Sequence, residues 1–446
     1  MSQTTNAATF RWRAILNRVV IVSALGYFVD IYDLLIFSIV SRPSLVALGY
    51  TDGTAAIRTA VGDLLGIQML GLLVGGIMWG ILGDKKGRLS VLFGSIALYS
   101  VANIANAFVV EISTATGASA FSTYAVLRFV SGVGLAGELG AAVTLVSEVM
   151  TRELRGYGTA VVSGVGILGA LAGGAVALSF DWKAAYIVGG ILGFALLITR
   201  MTLVESGMFK SLKLTGISRG NPAMLVTGGR FGKFVRTTLV GLPIWCIIGI
   251  FVSLSPFIAP DLGVTGPVSQ IYAVMFCYAG ASMGGLGWGI VSQRYANRRG
   301  VMFTAITALS VIMFVYFFVR GVPPIFFYFV CGLLGLMAGY WSVFVTAAAE
   351  QFGTNLRATA ATIVPNVIRG TTFPLAWIFN RVLAGPLGEA RAALILGTLC
   401  ILIALWALRG LPETYGKDLD YLERASTPAK ATRVAKRIAA GAGGGQ

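Results

Sequence analysis

Apolar residues in this chain come in long unbroken blocks, not at the spacing of a half-buried helix or strand. Twelve such runs lie at roughly 18–40, 60–82, 89–110, 121–149, 156–178, 184–204, 236–259, 268–292, 301–321, 325–350, 358–384 and 391–410. A run of about 20 apolar residues is long enough to cross a bilayer as a helix, and a helix that is apolar all round must be buried or lipid-facing. The segments between the runs are short and polar. The pattern predicts an all-α membrane protein with 12 transmembrane helices.

Polar residues at the ends of the runs repeat. Glu148 is followed seven positions later by Arg155; 202 residues on, Glu350 is followed by Arg357. Gly80 and the cationic turn Lys85-Lys86-Gly87-Arg88 are echoed by Gly289 with Arg298 and Arg299. Arg200, Glu205 and Ser206 close the sixth run, as Arg409, Glu413 and Thr414 close the twelfth. Echoes at offsets of 202 to 209 predict two pseudo-symmetric six-helix bundles of the same topology, residues 18–205 and 234–424. Parallel repeats of this kind are a transporter architecture, with the site between the halves. Residues 206–233, with Lys210, Lys213, Arg219, Arg230, Lys233 and a Gly-Asn-Pro turn signal, read as a linker. Residues 1–17 and 425–446 read as tails, the second Lys/Arg-, Ala- and Gly-rich and flexible.

Composition agrees. The 446 residues are 56% hydrophobic and 12% charged, with mean hydropathy +0.82, whereas soluble domains carry about 25% charge. Met1–Phe10 is polar and the first apolar run is too long for the core of a signal peptide, so no cleaved leader is expected. The net charge of +16 invites a nucleic-acid reading, but its distribution argues otherwise. With the N-terminus inside, 26 of the 34 Lys and Arg fall in inner segments, 6 in outer ones and 2 within spans. That asymmetry is the positive-inside rule. It places both termini in the cytoplasm of a bacterial-type inner membrane, with the basic surface toward anionic lipid heads and no nucleic-acid partner. Cys246, Cys277, Cys331 and Cys400 are scattered through apolar runs, which gives neither a disulfide framework nor a metal cluster. Histidine is absent, so proton chemistry near neutral pH falls to carboxylates.

Charges inside the spans are the candidate chemistry, because each costs roughly 3 kcal/mol or more unless it meets a partner or a wet cavity. Asp30 and Asp33 are three residues apart in the first run and share a helical face. Two carboxylates on one buried face repel each other, which makes them either a proton-carrying pair or members of a structural ion pair. Arg128 in the fourth run is the obvious counter-ion for one of them. Glu138, 10 residues further on and about 80° around the helix from Arg128, is a second protonatable group or a helix-packing hydrogen bonder. Gly132, Gly134, Gly137 and Gly140 make that helix thin enough for close packing. Asp63 lies near the outer end of the second run, with Gln68 deeper. In the eleventh run Asn366 and Arg369 share a face, and Arg369 lies about 18 Å beyond Arg357, near the midplane. No acidic residue is expected to be buried within a span of the second half, where Glu350 stands at the very end of its run. An anionic substrate is then the simplest partner for Arg369; an acid across the cavity or a water-filled channel is the other. Tyr340 and Trp341 in the tenth run line the same cavity or are packing. Pro243, Pro256, Pro365 and Pro374 fall in the seventh and eleventh runs.

The nine residues GILGDKKGR, Gly80 to Arg88, resemble the loop signature between helices 2 and 3 of the major facilitator superfamily, Gly-x-x-x-Asp-(Lys/Arg)-x-Gly-Arg, with Asp84 at its centre. The resemblance extends over about residues 15 to 424. Asp30-Ile31-Tyr32-Asp33 is similar to helix 1 of phosphate:proton symporters. Gly134 to Glu138 with Arg155-Gly156 resembles helix 4 of metabolite:proton symporters related to sugar porters. Arg200 through Glu205-Ser206, and Pro412-Glu413-Thr414, resemble the family's helix 6 and helix 12 endings. The resemblance implies that Asp33 is a coupling carboxylate facing Arg128. It also implies that Arg88, Glu148, Arg155, Glu205, Arg298, Glu350, Arg357 and Glu413 form cytoplasmic networks that close an inner gate. Gln293 stands where an acid would repeat Asp84, which weakens the second network; Gly207 replaces a proline; the seventh run lacks the Gln-Gln pattern of sugar porters.

The expected function is proton-coupled symport of a small anionic metabolite, organic or phosphorylated, by a monomer working through alternating access. It needs no cofactor beyond the proton gradient. Asp33, Asp30, Arg128 and Glu138 are the expected proton-coupling set; Arg369, Asn366, Gln68, Tyr340 and Trp341 are the expected substrate set. The rivals are efflux of a cationic or amphipathic compound held by Asp30 and Asp33, and a transporter-like membrane sensor. Without histidine, a metal cluster or a nucleophile–base set, an enzyme is not expected.

Overall fold

The computed structural model describes residues 18–86, 88–138, 140, 146, 150, 154–205, 230–318 and 320–416. Expectations for both tails, the linker to residue 229, Gly87 and Glu148 lie outside the described residues, as do those for the side chains of Asp84, Arg88, Arg155, Glu205 and Arg357.

The described residues are helical almost throughout, and each of the twelve apolar runs has a helical counterpart. The first half comprises α1 (Arg18–Ala47), α2 (Ala55–Lys86), α3 (Arg88–Ala107), α4 (Val109–Thr116), α5 (Ala120–Leu135), α6 (Arg155–Ile167), α7 (Gly169–Ser179) and α8 (Trp182–Glu205). The second comprises α9 (Phe231–Leu239), α10 (Leu242–Cys246), α11 (Ser255–Asp261), α12 (Gln270–Arg294), α13 (Arg298–Phe318), α14 (Pro324–Ala338), α15 (Trp341–Glu350), α16 (Thr354–Gly370), α17 (Thr372–Trp377), α18 (Ala384–Leu387) and α19 (Glu389–Arg409).

Several runs are pieced from shorter helices, and the breaks have local causes. The third span leaves its axis by 81° at Phe108, because α4 beyond it carries Glu111, Ser113, Thr114 and Thr116, which seek water. Glu111 there meets Lys183 at 2.6 Å. The seventh and eleventh spans each contain a π-helical segment, Ile247–Val252 and Ile378–Leu383. Each lies within a few residues of prolines that cannot donate to the helical ladder. The lipid-facing side is written at helical spacing: Ile395, Leu399, Leu402 and Trp406 of α19 are all exposed, as membrane-embedded apolar side chains are.

Within the first half, α2 packs on α5, α3 on α5 and α8, and α1 on α6, α7 and α8. Within the second, α12 packs on α14, α13 on α14 and α19, and α15 on α16. The halves meet along two seams, α6–α7 against α12 and α2 against α16–α17. Small residues let the fourth span approach its neighbours closely. A methyl on Gly132 would strike the backbone of Gln68 in α2, and one on Gly140 would strike Thr362 of α16, across the seam. At Gly80 the approach is looser: a methyl would sit at ordinary contact distance, 4.0 Å, from Ile363.

Candidate functional site

Charge is buried at the centre of the molecule, on α1, α5, the turn after it, α8 and α16. Asp30, Asp33, Arg128, Glu138 and Arg369 are all fully buried. The two aspartates diverge in their surroundings although they share a helix face. Asp33 points at α8, where a methyl on Gly189 would fall on its carboxylate, and lies within electrostatic reach of Asp30 and Arg128. Asp30 lies within reach of Arg369, Glu138 and Arg200. Among the described residues, neither carboxylate has a hydrogen-bond partner on either oxygen. Buried carboxylates without partners are costly, which makes both candidates for binding a proton or a ligand.

Arg128 is not the ion-pair partner that the sequence suggested. Among the described residues it reaches no carboxylate within 4 Å; its Nη2 donates to Asn103 Oδ1 at 3.2 Å and its Nη1 to the Tyr186 hydroxyl at 3.4 Å. Its guanidinium carbon lies 5.1 Å from the Tyr186 ring and 5.6 Å from the Phe37 ring. The partners come from α1, α3 and α8, a convergence that no single run reveals.

Glu138 resolves to an ion pair. Both of its oxygens accept from Arg200 of α8, the Nη1 contact at 3.1 Å. Gly26 of α1 is what leaves room: a methyl there would collide with both partners. Gln68 donates to the Leu34 carbonyl at 3.0 Å, tying α2 to α1.

Arg369 is the outlier. Its Nη1 reaches Asn366 Oδ1 at 3.5 Å, and its Nε and Nη2 have no partner among the described residues. Asp30 is near, but no carboxylate lies within ion-pair distance of it among the described residues. The guanidinium carbon sits 5.5 Å from the Trp245 ring and 5.6 Å from the Trp341 ring. Trp341 Nε1 donates to the Tyr27 hydroxyl at 3.0 Å, from the second half to the first. Asn366 also crosses the seam, donating to the Ala136 carbonyl at 2.9 Å. Tyr340 does not join this group: its hydroxyl donates to the Val240 carbonyl at 2.8 Å and ties α15 to the start of α10. Trp245 does join it, and sequence reasoning missed it. A tryptophan two residues after Pro243 was the available signal.

Polar contacts among the described residues lie on two sides of this centre, outer and inner in the orientation that the charge distribution predicts. On the outer side Arg58 pairs with Glu389, and Arg381 with Asp63 at 3.0 Å, each pair spanning the two halves. A surface cleft of about 440 Å³ opens beside the second pair, lined by Tyr50, Thr59, Phe121 and others. Toward the inner side Thr159 and Thr346 hydroxyls meet at 3.1 Å, and Gln293 packs directly on Gly156. Beneath them Arg298 reaches Glu350 at 3.4 Å, Thr414 donates to Glu350 at 2.9 Å, and Glu413 accepts from the backbone N–H groups of Arg298 and Arg299, both at 2.9 Å. Burial pushes the Glu413 carboxyl up, but these bonds and those from Tyr415 and Thr414 outweigh it and hold the group below the usual carboxylate range.

Known proteins share this architecture. The family model for the Major Facilitator Superfamily matches residues 23–368. A protein of Bacillus subtilis (strain 168) named for niacin/nicotinamide transport is 24% identical over 352 residues, 76% of this chain and 82% of that one. A protein of Oryza sativa subsp. japonica named for inorganic phosphate transport is 33% identical over 177 residues, 37% of this chain and 31% of that one. Among solved structures, the proton:xylose symporter XylE of E. coli superimposes with a TM-score of 0.67 at 17% identity, covering 90% of this chain and 97% of that one. At that identity the likeness speaks for the fold.

Proposed function

Because the chain belongs to the major facilitator superfamily, and so is a multi-pass membrane transporter, we propose that it is a proton-coupled symporter of a small anionic metabolite. The observation that carries this reading is Arg369: a fully buried cation whose guanidinium edge has no hydrogen-bond partner among the described residues, within electrostatic reach of Asp30, which has none among them either. A cation held so in a membrane protein is a site for an anion.

In this mechanism residues 18–205 and 234–424 rock about the centre, with 206–233 as the cytoplasmic linker and both tails in the cytoplasm of a bacterial-type inner membrane. The protein works as a monomer and takes its energy from the proton gradient, without a cofactor. Asp33 is the coupling carboxylate and Asp30 relays its state across the seam. While Asp30 is charged, its field holds Arg369. Protonation of the aspartate pair frees the guanidinium for an incoming anion, so proton and anion load together. Arg128, held by Asn103 and Tyr186, stays beside Asp33 without pairing with it. The Glu138–Arg200 pair is a fixed strut. The outer clasps Arg58–Glu389 and Asp63–Arg381, and the inner network of Arg298, Glu350 and Glu413, open in turn. The relative named for inorganic phosphate transport supports an anion over a neutral sugar.

The test is a thermal-stability screen of the purified protein against small anions, neutral sugars and organic cations, at mildly acidic and mildly basic pH. A ligand that binds the folded state stabilises it by RT ln(1 + [L]/Kd). Anions are expected to stabilise the wild type, more strongly at acidic pH, and Arg369→Ala is expected to lose the effect. Stabilisation by cations alone contradicts the reading and favours efflux built on Asp30 and Asp33.

A further inference from the structure

The surroundings of Arg369 select among anions. Three buried donors without partners among the described residues belong to this cluster, Arg369 Nε, Arg369 Nη2 and Trp245 Nε1, on side chains whose guanidinium carbon and ring centre lie 5.5 Å apart. Nε and Nη2 form one edge of the guanidinium fork, whose spacing matches the two oxygens of a carboxylate. The indole N–H of Trp245 adds a third hydrogen bond to either oxygen. The remaining walls are aromatic. Trp245 and Trp341 stand edge to face with ring centres 6.0 Å apart, Phe344 stacks on Trp341 at 5.4 Å, and Tyr27 and Tyr278 flank the guanidinium from α1 and α12.

Charge sets a second limit. Arg369 is opposed by Asp30; Arg128 is occupied by Asn103 and Tyr186, and Arg200 by Glu138. One cation next to one carboxylate suits a monoanion and disfavours a phosphate dianion, which needs more positive charge than this site holds. Around the guanidinium, Asn366 and the Tyr27 hydroxyl are already bonded to protein groups, which leaves little to read the many hydroxyls of a sugar.

We propose that the site takes a planar aromatic or heteroaromatic monocarboxylate, its carboxylate on the Nε–Nη2 edge of Arg369 and Trp245 Nε1, its ring against Trp341 and Tyr27. This rests on the anion reading above and narrows it. As the halves part between α1 and α15, the Trp341–Tyr27 hydrogen bond opens and the ring enters between them. Trp245 is thus a specificity-determining residue that both donates to the carboxylate and walls the ring.

The experiment is counterflow exchange in proteoliposomes holding the full-length protein, with benzoate, cyclohexanecarboxylate, propionate and inorganic phosphate as probes and an organic amine as control. Benzoate and cyclohexanecarboxylate share charge and size and differ in the flat π-face. Benzoate is expected to exchange with about tenfold better apparent affinity than cyclohexanecarboxylate, the scale of one good aromatic contact. Trp245→Leu should shrink that preference to about twofold, and the milder Trp245→Phe should keep most of it while weakening every carboxylate alike. Equal exchange of the two ring acids, or preference for phosphate or propionate, overturns the aromatic proposal and leaves the anion reading standing. Exchange of the amine alone, or of none of the probes, overturns both.

Discussion

In the first half, α1 and the end of the fourth span bury three carboxylates, Asp30, Asp33 and Glu138, against two arginines; in the second, α16 buries one arginine among tryptophans with no acid of its own. The contrast is unexpected in halves that share a topology. Duplicated scaffolds give equivalent helices, yet Asp30 and Asp33, carboxylates without a hydrogen-bond partner among the described residues, sit on one side of the central seam, and Arg369, with two such guanidinium nitrogens, sits on the other. The lesson is a division of labour. In the proposed mechanism the proton-carrying groups and the anion-binding cation occupy different halves, so relative motion of the halves changes how strongly each feels the other. A carboxylate and a guanidinium packed on the same helix would keep one coupling throughout the cycle.

The largest expected effect comes from removing the second half's cation. Arg369→Ala should weaken binding of an anionic substrate about 100-fold, the upper range for losing hydrogen bonds to a charged group, with little loss of thermal stability because its guanidinium edge has no protein partner among the described residues. Titration of carboxylate-induced thermal shifts measures both. A large fall in melting temperature without ligand would instead assign Arg369 to the scaffold.

Next comes the strut of the first half. Glu138→Gln leaves Arg200 beside a neutral group in a buried setting, where breaking a pair costs about 3 kcal/mol. The melting temperature should drop, while the correctly folded fraction still accumulates substrate on a pH gradient. Loss of accumulation at unchanged stability would move Glu138 from the strut to the proton path.

A smaller and more pointed effect concerns the field across the seam. With Asp30 opposing Arg369, Asp30→Asn should tighten anion binding at alkaline pH several-fold, about 1 kcal/mol of relieved competition, and flatten its pH dependence. Weaker binding would make Asp30 a direct substrate ligand.

The smallest lies at the inner surface. The folded-state pKa of Glu413 is lowered, so its contribution is present at neutral pH and lost as pH falls through that value. Glu413→Gln should cost under about 1 kcal/mol at neutral pH, since the group is partly exposed, and the difference from wild type should shrink in acid as pH falls through the lowered folded-state pKa. Melting curves across pH provide the check.

Much of this was readable in the chain, and the remainder was hidden for a physical reason. Span positions follow from uninterrupted apolar length, and the offset between Glu148–Arg155 and Glu350–Arg357 pointed to a repeat without any contact information. Asp30, Asp33 and Arg369 were visible as charges that an apolar run does not carry without cause. Pairings were not visible. Glu138 meets Arg200, 62 residues away, and Arg128 turns to Asn103 and Tyr186. Which side chains share the interior depends on helix rotation and on gaps such as Gly26 and Gly189. Tyr340 and Trp341 are adjacent in sequence, yet one bonds the backbone just before α10 and the other faces Arg369. Helix geometry sends neighbours about 100° apart, and only the packed bundle decides which of them meets the site.

The most direct measurement of the division of labour sets Asp33→Asn and Arg369→Ala side by side in proteoliposomes, with uphill uptake driven by a pH gradient and energy-independent exchange read for each. The account predicts that Asp33→Asn exchanges substrate but cannot accumulate it, while Arg369→Ala does neither at wild-type substrate concentrations. Accumulation by Asp33→Asn against a gradient, or normal exchange by Arg369→Ala, contradicts it.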